Sequence, residues 1–375
     1  MKMCSHAQMG MRIKMQTYKE EVQLLLKQNL PWERLAGKTV MISGATGMIG
    51  KCLIDILMQY GQEQRNHAGR NHSSGSSAPV KVIALSRNEE NARQRLGIYW
   101  NDRNFEYIAC DVNRTLPECG QADYVIHAAS NTHPLQYAAD PVGTITANII
   151  GTKNMLDYAV SHKSERFCFL SSVEIYGENR GDTDRFKEDY LGYVDCNTLR
   201  AGYPESKRAG EALCNAYRQA HKLDFVIPRL SRVYGETMLP GDSKAIAQFI
   251  KKAAVGADIV LKSAGTQLYS YTYALDAAMG VLTVLLKGEG GAAYNVSDTE
   301  SEVTLRQITE WLAEDNGVKV IFEMPDAAEQ AGYSAATKAI LDTRKIEALG
   351  WRAQTHMREG LRKTVLALRG EDEQR

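Results

Sequence analysis

The sequence predicts an α/β protein built on a doubly wound parallel sheet, with a smaller C-terminal α/β unit. Three observations predict it. From Lys38 onward, short β-branched runs alternate with stretches of helical apolar periodicity. A glycine-rich turn, Gly44 to Gly50, joins the first run to the first of those helices. After Leu230 the rhythm breaks into shorter runs with Gly and Pro clusters at Gly235–Gly241 and Gly288–Gly291, followed by amphipathic helices that end at Leu361–Leu368.

The elements follow in order. Tyr18–Gln28 places Val22, Leu25 and Leu26 at helical spacing, and Pro31 ends this leading packing helix. Strands are expected at Thr39–Ile42, Val80–Leu85, Phe105–Ala109, Tyr124–Ile126, Phe167–Leu170 and Phe225–Leu230. Between the first of these helices and the second strand, Gln62–Pro79 lacks any large apolar side chain and reads as a solvated loop, with His67 and His72 facing solvent. No internal repeat interrupts the pattern. The expected division is a helical extension (1–35), a unit built on the first sheet (36–230) and a smaller unit (231–375), with the chain returning to the first sheet in places.

Composition excludes several classes. The 375 residues are 44% apolar and 24% charged, which is a globular composition long enough for two domains. Forty-five Lys and Arg balance forty-five Asp and Glu, so the electrostatic footprint of a nucleic-acid or anionic-membrane binder is missing. The most apolar stretch, Ala278–Leu286, holds Gly280 and Thr283 and is far short of the roughly 20 residues that span a bilayer. Lys2, Arg12 and Lys14 precede no apolar signal-peptide core, and the expected location is the cytoplasm. The seven cysteines are scattered, with no C-x-x-C pair, and the eight histidines lack zinc-ligand spacing. Free thiols and no metal are expected.

Val40-Met41-Ile42-Ser43 leads into Gly44-Ala45-Thr46-Gly47-Met48-Ile49-Gly50, and Leu53, Ile56 and Leu57 continue as a helical face. Glycines between a strand and a helix permit a tight turn and close backbone approach to a pyrophosphate, which the helix N-terminus then receives. With G-x-x-G-x-x-G spacing, the chain from about Gly37 to Leu368 resembles the extended short-chain dehydrogenase/reductases, the nucleotide-sugar epimerase and dehydratase family with its Rossmann fold. The resemblance implies that Gly44, Thr46, Gly47, Met48, Ile49 and Gly50 hold the cofactor pyrophosphate. The family commonly places an acid after the second strand to take the ribose of NAD. Here that place is Ser86-Arg87-Asn88, a guanidinium where a carboxylate would stand, which favours NADP over NAD. Asp111-Val112 matches the pair that addresses adenine, and Ala128, Ala129 and Ser130 match the small-residue turn under the cofactor. His127 reads as a turn residue whose hydrogen bonds are met internally.

Tyr203-Pro204-Glu205-Ser206-Lys207 is Y-x-x-x-K, which on a helix sets phenol and ammonium on one face. Upstream, Ser171-Ser172-Val173-Glu174-Ile175-Tyr176-Gly177 follows a strand, and Asn148 matches the family's helical asparagine. The resemblance implies that Tyr203 accepts the proton of a sugar hydroxyl held by Ser172. Lys207 binds the nicotinamide ribose, and its ammonium, with the nicotinamide cation, favours phenolate. Hydride leaves the same carbon, C4, giving a transient ketone.

Glu174 stands where the family's dehydratases and UDP-glucuronate decarboxylases carry glutamate, which disfavours simple 4-epimerisation. Dehydratases place an aspartic acid before it, and Val173 has no proton to offer. Loss of carbon dioxide from a β-keto acid needs no such acid. The run Ala129-Ser130, Pro134, Tyr137, Pro141, Thr144, Asn148, Gly151-Thr152 and Asn154-Met155-Leu156 also resembles the UDP-glucuronate decarboxylases most. One departure opposes this: the arginine expected seven residues before Asp276 is Tyr269. Arg232, where the family has asparagine, is the expected replacement, clamping the substrate diphosphate. The implied partner is a nucleoside-diphosphate sugar, and the implied assembly is a homodimer. Decarboxylation leads, with 4,6-dehydration and 4-epimerisation as alternatives. A non-catalytic NAD(P)-binding regulator is the alternative of a different class, and a regulator would not require the intact Ser172, Tyr203 and Lys207.

Overall fold

The computed structural model describes residues 17–70, 78–132, 139–323 and 337–370. Its strands are β1 (Thr39–Ser43), β2 (Lys81–Ser86), β3 (Phe105–Ala109), β4 (Tyr124–His127), β5 (Arg166–Phe169), β6 (Ser171–Ser172), β7 (Phe225–Leu230), β8 (Arg232–Tyr234), β9 (Ile259–Leu261), β10 (Leu268–Tyr273), β11 (Ala293–Val296), β12 (Glu302–Thr304), β13 (Val320–Phe322) and β14 (Lys338–Ala339). The main sheet is parallel, in the order β3-β2-β1-β4-β5-β7-β11, with β6 beside β7. The chain winds outward from β1 to β3 and then restarts at β4. That reversal opens a crevice beyond the carboxyl ends of β1 and β4, where ligands of such sheets bind.

Alternation along each strand separates two cores. Val40, Ile42, Val82, Ala84 and Ile126 pack on one face with Leu53, Ile56 and Leu57 of the helix Met48–Arg70 and with the helix Ala274–Lys287. Met41, Ile83, Leu85, Val125, Phe167 and Phe169 pack on the other with Met155, Leu156 and Ala159 of the helix Pro141–Ser161. Because both faces are covered, the strands read as continuous apolar runs. The most apolar stretch of the sequence is the buried heart of Ala274–Lys287, where a Cβ on Gly280 would come within 2.4 Å of Val296 on β11. Among the described residues, no helix is long and apolar enough to cross a membrane.

One expected loop is partly helix. Gln62–Arg70 continues the helix that starts at Met48, because Gln62, Glu63, Gln64 and Arg65 are good helix formers with no breaker among them. Gln62 bonds to Asn66 and Arg65, and Arg65 pairs with Asp102. His72 and the side chain of His67 lie outside the described residues, as do Pro134 and Tyr137.

The leading helix, Tyr18–Leu25, begins with a Thr17–Glu20 capping box and buries Val22 and Leu25. Its Glu21 pairs with Lys363 of the last helix, Met357–Leu368. A second sheet is built on β10, which pairs with β8 and β14 in parallel and with β12 antiparallel. Only Ser231 separates β7 from β8, and β10 runs directly into Ala274–Lys287, so the two sheets are joined at short range. The Ser231 and Thr272 hydroxyls hydrogen-bond across that joint at 2.6 Å.

Candidate active site

The glycine turn and the turn after β4 pack into each other. Gly44 has φ +70°, and a Cβ there would lie 2.7 Å from the backbone of Ala128 and Ala129. A Cβ on Gly50 would come within 2.3 Å of the Gly44 carbonyl oxygen, so the helix start closes on the turn. Gly47 is different: its φ is ordinary, and its nearest foreign atom would be the Gly44 oxygen at 3.1 Å. The protein's own packing therefore needs two of the glycines, and the third leaves room for a ligand. Thr46, Gly47, Met48 and Ile49 are half-buried, while Ala45 and Gly50 are buried. With the free amides at the N-terminus of Met48–Arg70, this cradle fits a dinucleotide pyrophosphate.

Ser43 at the end of β1 ties these turns together. Its hydroxyl meets His127 Nδ1 at 2.7 Å and accepts the Ala129 amide at 3.3 Å. His127 is fully buried, and burial pushes its imidazole down to about 3, so it stays neutral; it ends β4 and its Nε2 has no hydrogen-bond partner among the described residues, so it is not the internally satisfied turn residue expected. Arg87 is exposed just beyond β2, and Asn88 caps the helix Glu89–Leu96. Ser86 shares a hydrogen bond with Tyr107 at 3.2 Å. Asp111 caps its own turn through the Asn113 amide, and Asn154 of Pro141–Ser161 donates to the Val112 carbonyl at 2.7 Å.

A polar chain crosses from there to the helix Gly202–His221. Ser130 donates to Asn148 Oδ1 at 2.8 Å, Asn148 Nδ2 donates to Ser206 at 3.0 Å, and Ser206 donates to the Tyr203 carbonyl at 2.9 Å. The Tyr203 side chain hydrogen-bonds both Ser172 and Ser130. Ser172 also accepts the Glu174 amide at 3.2 Å, which leaves its proton available to the Tyr203 oxygen. The structure thus brings Ser130, Asn148, Ser172 and Tyr203 together.

Lys207 occupies the same helix face as Tyr203 and donates to the Leu170 carbonyl at 2.8 Å, with Nζ 6.0 Å from the Tyr203 ring centroid. Burial pushes its ammonium down to about 7, with Glu211 opposing. Burial likewise pushes Tyr203 up to about 12; the Ser172 bond and Arg200 favour phenolate, whereas Glu174 disfavours it. Arg200 is thus a second cation bearing on Tyr203, beside the Lys207 that the sequence pointed to. Arg200 lies on the single turn Leu199–Ala201 that leads into the helix. Its one sequence signal was its position three residues before Tyr203, one helical turn away.

Glu174 sits on the turn Val173–Tyr176 between two guanidiniums. Arg232 Nη2 lies 3.2 Å from Oε1, and Arg200 Nη2 lies 3.4 Å from Oε2. Arg232, on β8, places its Cζ 3.6 Å from the ring centroid of Tyr269, on neighbouring β10. The Arg232 side chain is only 17% exposed, so it is no surface charge. Among the described residues, no group of three or more His, Cys, Asp and Glu is placed to hold a metal.

A family model for the NAD dependent epimerase/dehydratase family matches residues 40–297, the span from β1 through the loop after β11. The chain belongs to this family. Curated relatives include UDP-glucuronic acid decarboxylase 6 of Arabidopsis thaliana, 29% identical over 326 residues and covering 86% of each chain. UDP-glucuronic acid decarboxylase 1 of Danio rerio is 27% identical over 332 residues, 88% of this chain and 72% of the relative. Among solved structures, UDP-glucose 4-epimerase of Thermotoga maritima superposes with a TM-score of 0.73 at 20% identity, covering 88% of this chain and 99% of the other. The dTDP-glucose 4,6-dehydratase of Streptomyces venezuelae, solved with NAD, gives 0.71 at 23%, covering 90% and 98%. These structures share the fold with this epimerase/dehydratase chain.

Proposed function

We propose that this chain decarboxylates a UDP-linked glucuronate through a transient 4-keto sugar, with NAD(P) bound in the glycine cradle. The carrying observation is Tyr203, hydrogen-bonded by Ser172 and Ser130 and sharing its surroundings with Glu174 and Arg200. Ser172 orients the C4 hydroxyl and Tyr203 takes its proton. The bound nicotinamide supplies hydride acceptance at C4 and returns the hydride later. Once C4 is a ketone, the C5 carboxylate is β to it, and the C5–carboxylate bond breaks to release carbon dioxide and leave an enolate. A proton from solvent water adds to C5 of the enolate, and reduction at C4 then gives a UDP-pentose. Tyr203 returns its proton to O4.

Val173 beside Glu174 supports this over 4,6-dehydration, which needs an acid for the departing hydroxyl. The relatives named for UDP-glucuronate decarboxylation support it too. Lys207 and Asn148 position the nicotinamide ribose and the catalytic helix. Asp111 and Val112 face the adenine, and Arg87 with Ser86 favours the 2′-phosphate of NADP. Residues 36–230 serve the cofactor, and 231–375 serve mainly the sugar nucleotide while returning β11 and Ala274–Lys287 to the main sheet. A homodimer through Pro141–Ser161 is supported by the exposed stripe Val142, Ile145 and Ile150, with Val142 69% exposed. The described cysteines are free thiols, which fits the cytoplasm.

The test is mass spectrometry after incubation with UDP-glucuronate, UDP-glucose and dTDP-glucose. A UDP-pentose with stoichiometric carbon dioxide is expected. A 4-keto-6-deoxy product from a neutral hexose, or no turnover of any of the three, would overturn the reading.

A further inference from the structure

We propose that Glu211 is a positioning residue of the site: its carboxylate, clamped between Arg229 and Ser171, supplies the negative charge that the buried Lys207 ammonium needs in order to hold the nicotinamide ribose. This rests on the dinucleotide reading of the site and adds to it the residue that keeps Lys207 charged.

Tyr203, Lys207 and Glu211 recur at intervals of four along Gly202–His221, so all three lie on the face that the helix buries. Close packing fixes that face. A Cβ on Gly210 would come within 2.4 Å of the Phe169 ring on β5, and Lys207 Nζ lies 4.8 Å from the centroid of the same ring. Glu211 is gripped from outside the helix. Arg229 of β7 reaches it as a fork, Nε to Oε1 at 3.0 Å and Nη2 to Oε2 at 2.7 Å, and Ser171 of β6 donates to Oε1 at 2.5 Å. Ser171 and Arg229 are register partners on neighbouring strands, so both approach the carboxylate from one face of the sheet. Arg229 Nη1 is held separately, donating to the Tyr176 hydroxyl at 2.9 Å and the Glu188 carbonyl at 2.7 Å. Because Ser171 precedes Ser172, the same clamp ties the strand that carries the substrate hydroxyl donor to the helix that carries Tyr203.

A buried ammonium is costly unless a negative charge lies near it. Burial pushes Lys207 down to about 7 and Glu211 opposes that shift, whereas Arg229 is not among the groups that act on it. Cys214, also on the buried face, would oppose it only as a thiolate, and burial beside Glu211 and Cys168 keeps it a thiol. The other elements around Lys207 bring no second carboxylate. β4 brings His127, neutral and fully buried, while Pro141–Ser161 meets this helix through Asn148 at Ser206 and through Asp157 at Tyr217, well along the helix from Lys207. Glu174 and Arg200 bear on Tyr203. Among the described residues, Glu211 is therefore the carboxylate that answers Lys207. Without its charge the ammonium gives up its proton at lower pH, and the ribose loses a charged donor.

The test is titration of the cofactor-stripped, full-length chain from pH 5 to 9 with NAD, whose own groups do not titrate in that range, and with NADP alongside. Wild-type affinity is expected to fall as pH rises through about 7, where Lys207 loses its proton. Glu211→Gln should bind as wild type does at the acid end and move the fall towards acid by about one pH unit or more, the scale of one neighbouring charge. That variant leaves Arg229 buried against a neutral amide, so Glu211→Gln/Arg229→Gln, which removes both charges, is its companion and should show the same displacement. Ser171→Ala, which loosens the clamp and keeps the charge, should retain the wild-type midpoint. An unmoved midpoint in either folded variant overturns the inference and leaves the cofactor site standing, as does an equal loss of affinity at every pH, which is what a merely structural ion pair would give. A wild type whose affinity does not change with pH overturns it too, and loss of fold in both variants assigns the pair to stability alone and does the same. Failure of the wild type to bind either dinucleotide at any pH overturns the cofactor reading and the inference together.

Discussion

Arg232 sits over the ring of Tyr269, its guanidinium carbon 3.6 Å from the ring centroid, although the two residues are 37 apart in sequence. Position 269 is where the family resemblance expects an arginine. An aromatic ring there carries no charge, but it supports a guanidinium delivered from the neighbouring strand. A cation over an aromatic face contributes about 0.5–2 kcal/mol, depending on desolvation. Tyr269→Ala should therefore weaken UDP-glucuronate binding by about 2- to 30-fold while leaving UDP binding alone. Tyr269→Phe, which keeps the face and loses only the hydroxyl, should remain near wild type. Equal losses in both variants would show that the hydroxyl, not the stack, matters.

The sheet was legible because buried parallel strands are apolar on both sides, so Val40–Ile42 or Val82–Leu85 announce themselves without neighbours. Gln62–Arg70 was not, since a polar helix reaching into solvent has the composition of a loop. The short β11, Ala-Tyr-Asn-Val, is defined by its register with β7, which pairs Asn295 with Arg229 and is invisible locally. At the site, Tyr203, Lys207, Ser172 and Glu174 stood out by spacing. Arg200 did not, because its contact with Glu174 is made only when the turn after β6 meets the start of Gly202–His221. The same folding hands Lys207 to the Leu170 carbonyl, so the pairing implied by Y-x-x-x-K is a shared helix face rather than a bond.

Removing the phenol oxygen should separate chemistry from binding. Tyr203→Phe keeps the ring, which is buried beside Ser172, and loses only the proton acceptor. A drop in kcat on the order of 10² to 10⁴ is expected, with cofactor affinity little changed. Single-turnover absorbance of the reduced nicotinamide reads it directly, and near-normal hydride transfer would remove Tyr203 from its role.

Asp276 gives a pH signature with a definite sign. Burial holds its carboxyl up at about 7, against an ordinary 3.8, while backbone bonds from Thr355 and Gln354 oppose the shift. The folded chain therefore binds the proton more tightly than the unfolded one. The stability this contributes is fully present below about pH 4 and is lost as pH rises through 7, at no more than about 1.4 kcal/mol per pH unit. Asp276→Asn keeps an acceptor for the Thr355 amide, 2.9 Å away, and cannot titrate. Between pH 4 and 7, denaturation midpoints of the variant relative to wild type should rise with pH. A flat difference would mean that Asp276 is ionised throughout.

The glycine turn offers the sharpest separation of folding from binding. A methyl group on Gly50 would be driven to 2.3 Å from the Gly44 carbonyl oxygen and 3.0 Å from Ala45, both backbone atoms that cannot swing aside. Gly50→Ala should therefore destabilise the fold itself, by the several kcal/mol typical of forced overpacking at a tight site, about 1–3 or more. A methyl group on Gly47 meets only the Gly44 oxygen at 3.1 Å, which a few tenths of an ångström of movement relieves, and its φ is one that alanine adopts freely. Gly47→Ala should melt close to wild type. Its methyl group would nevertheless stand where a pyrophosphate approaches the amides at the start of Met48–Arg70, so dinucleotide affinity should fall by about tenfold or more, the scale of one lost charge-assisted hydrogen bond. Melting curves and dinucleotide titrations on the two variants decide it. If Gly47→Ala binds the cofactor as wild type does, the pyrophosphate lies elsewhere, and the turn's glycines serve only the packing of β1 against Ala128 and Ala129.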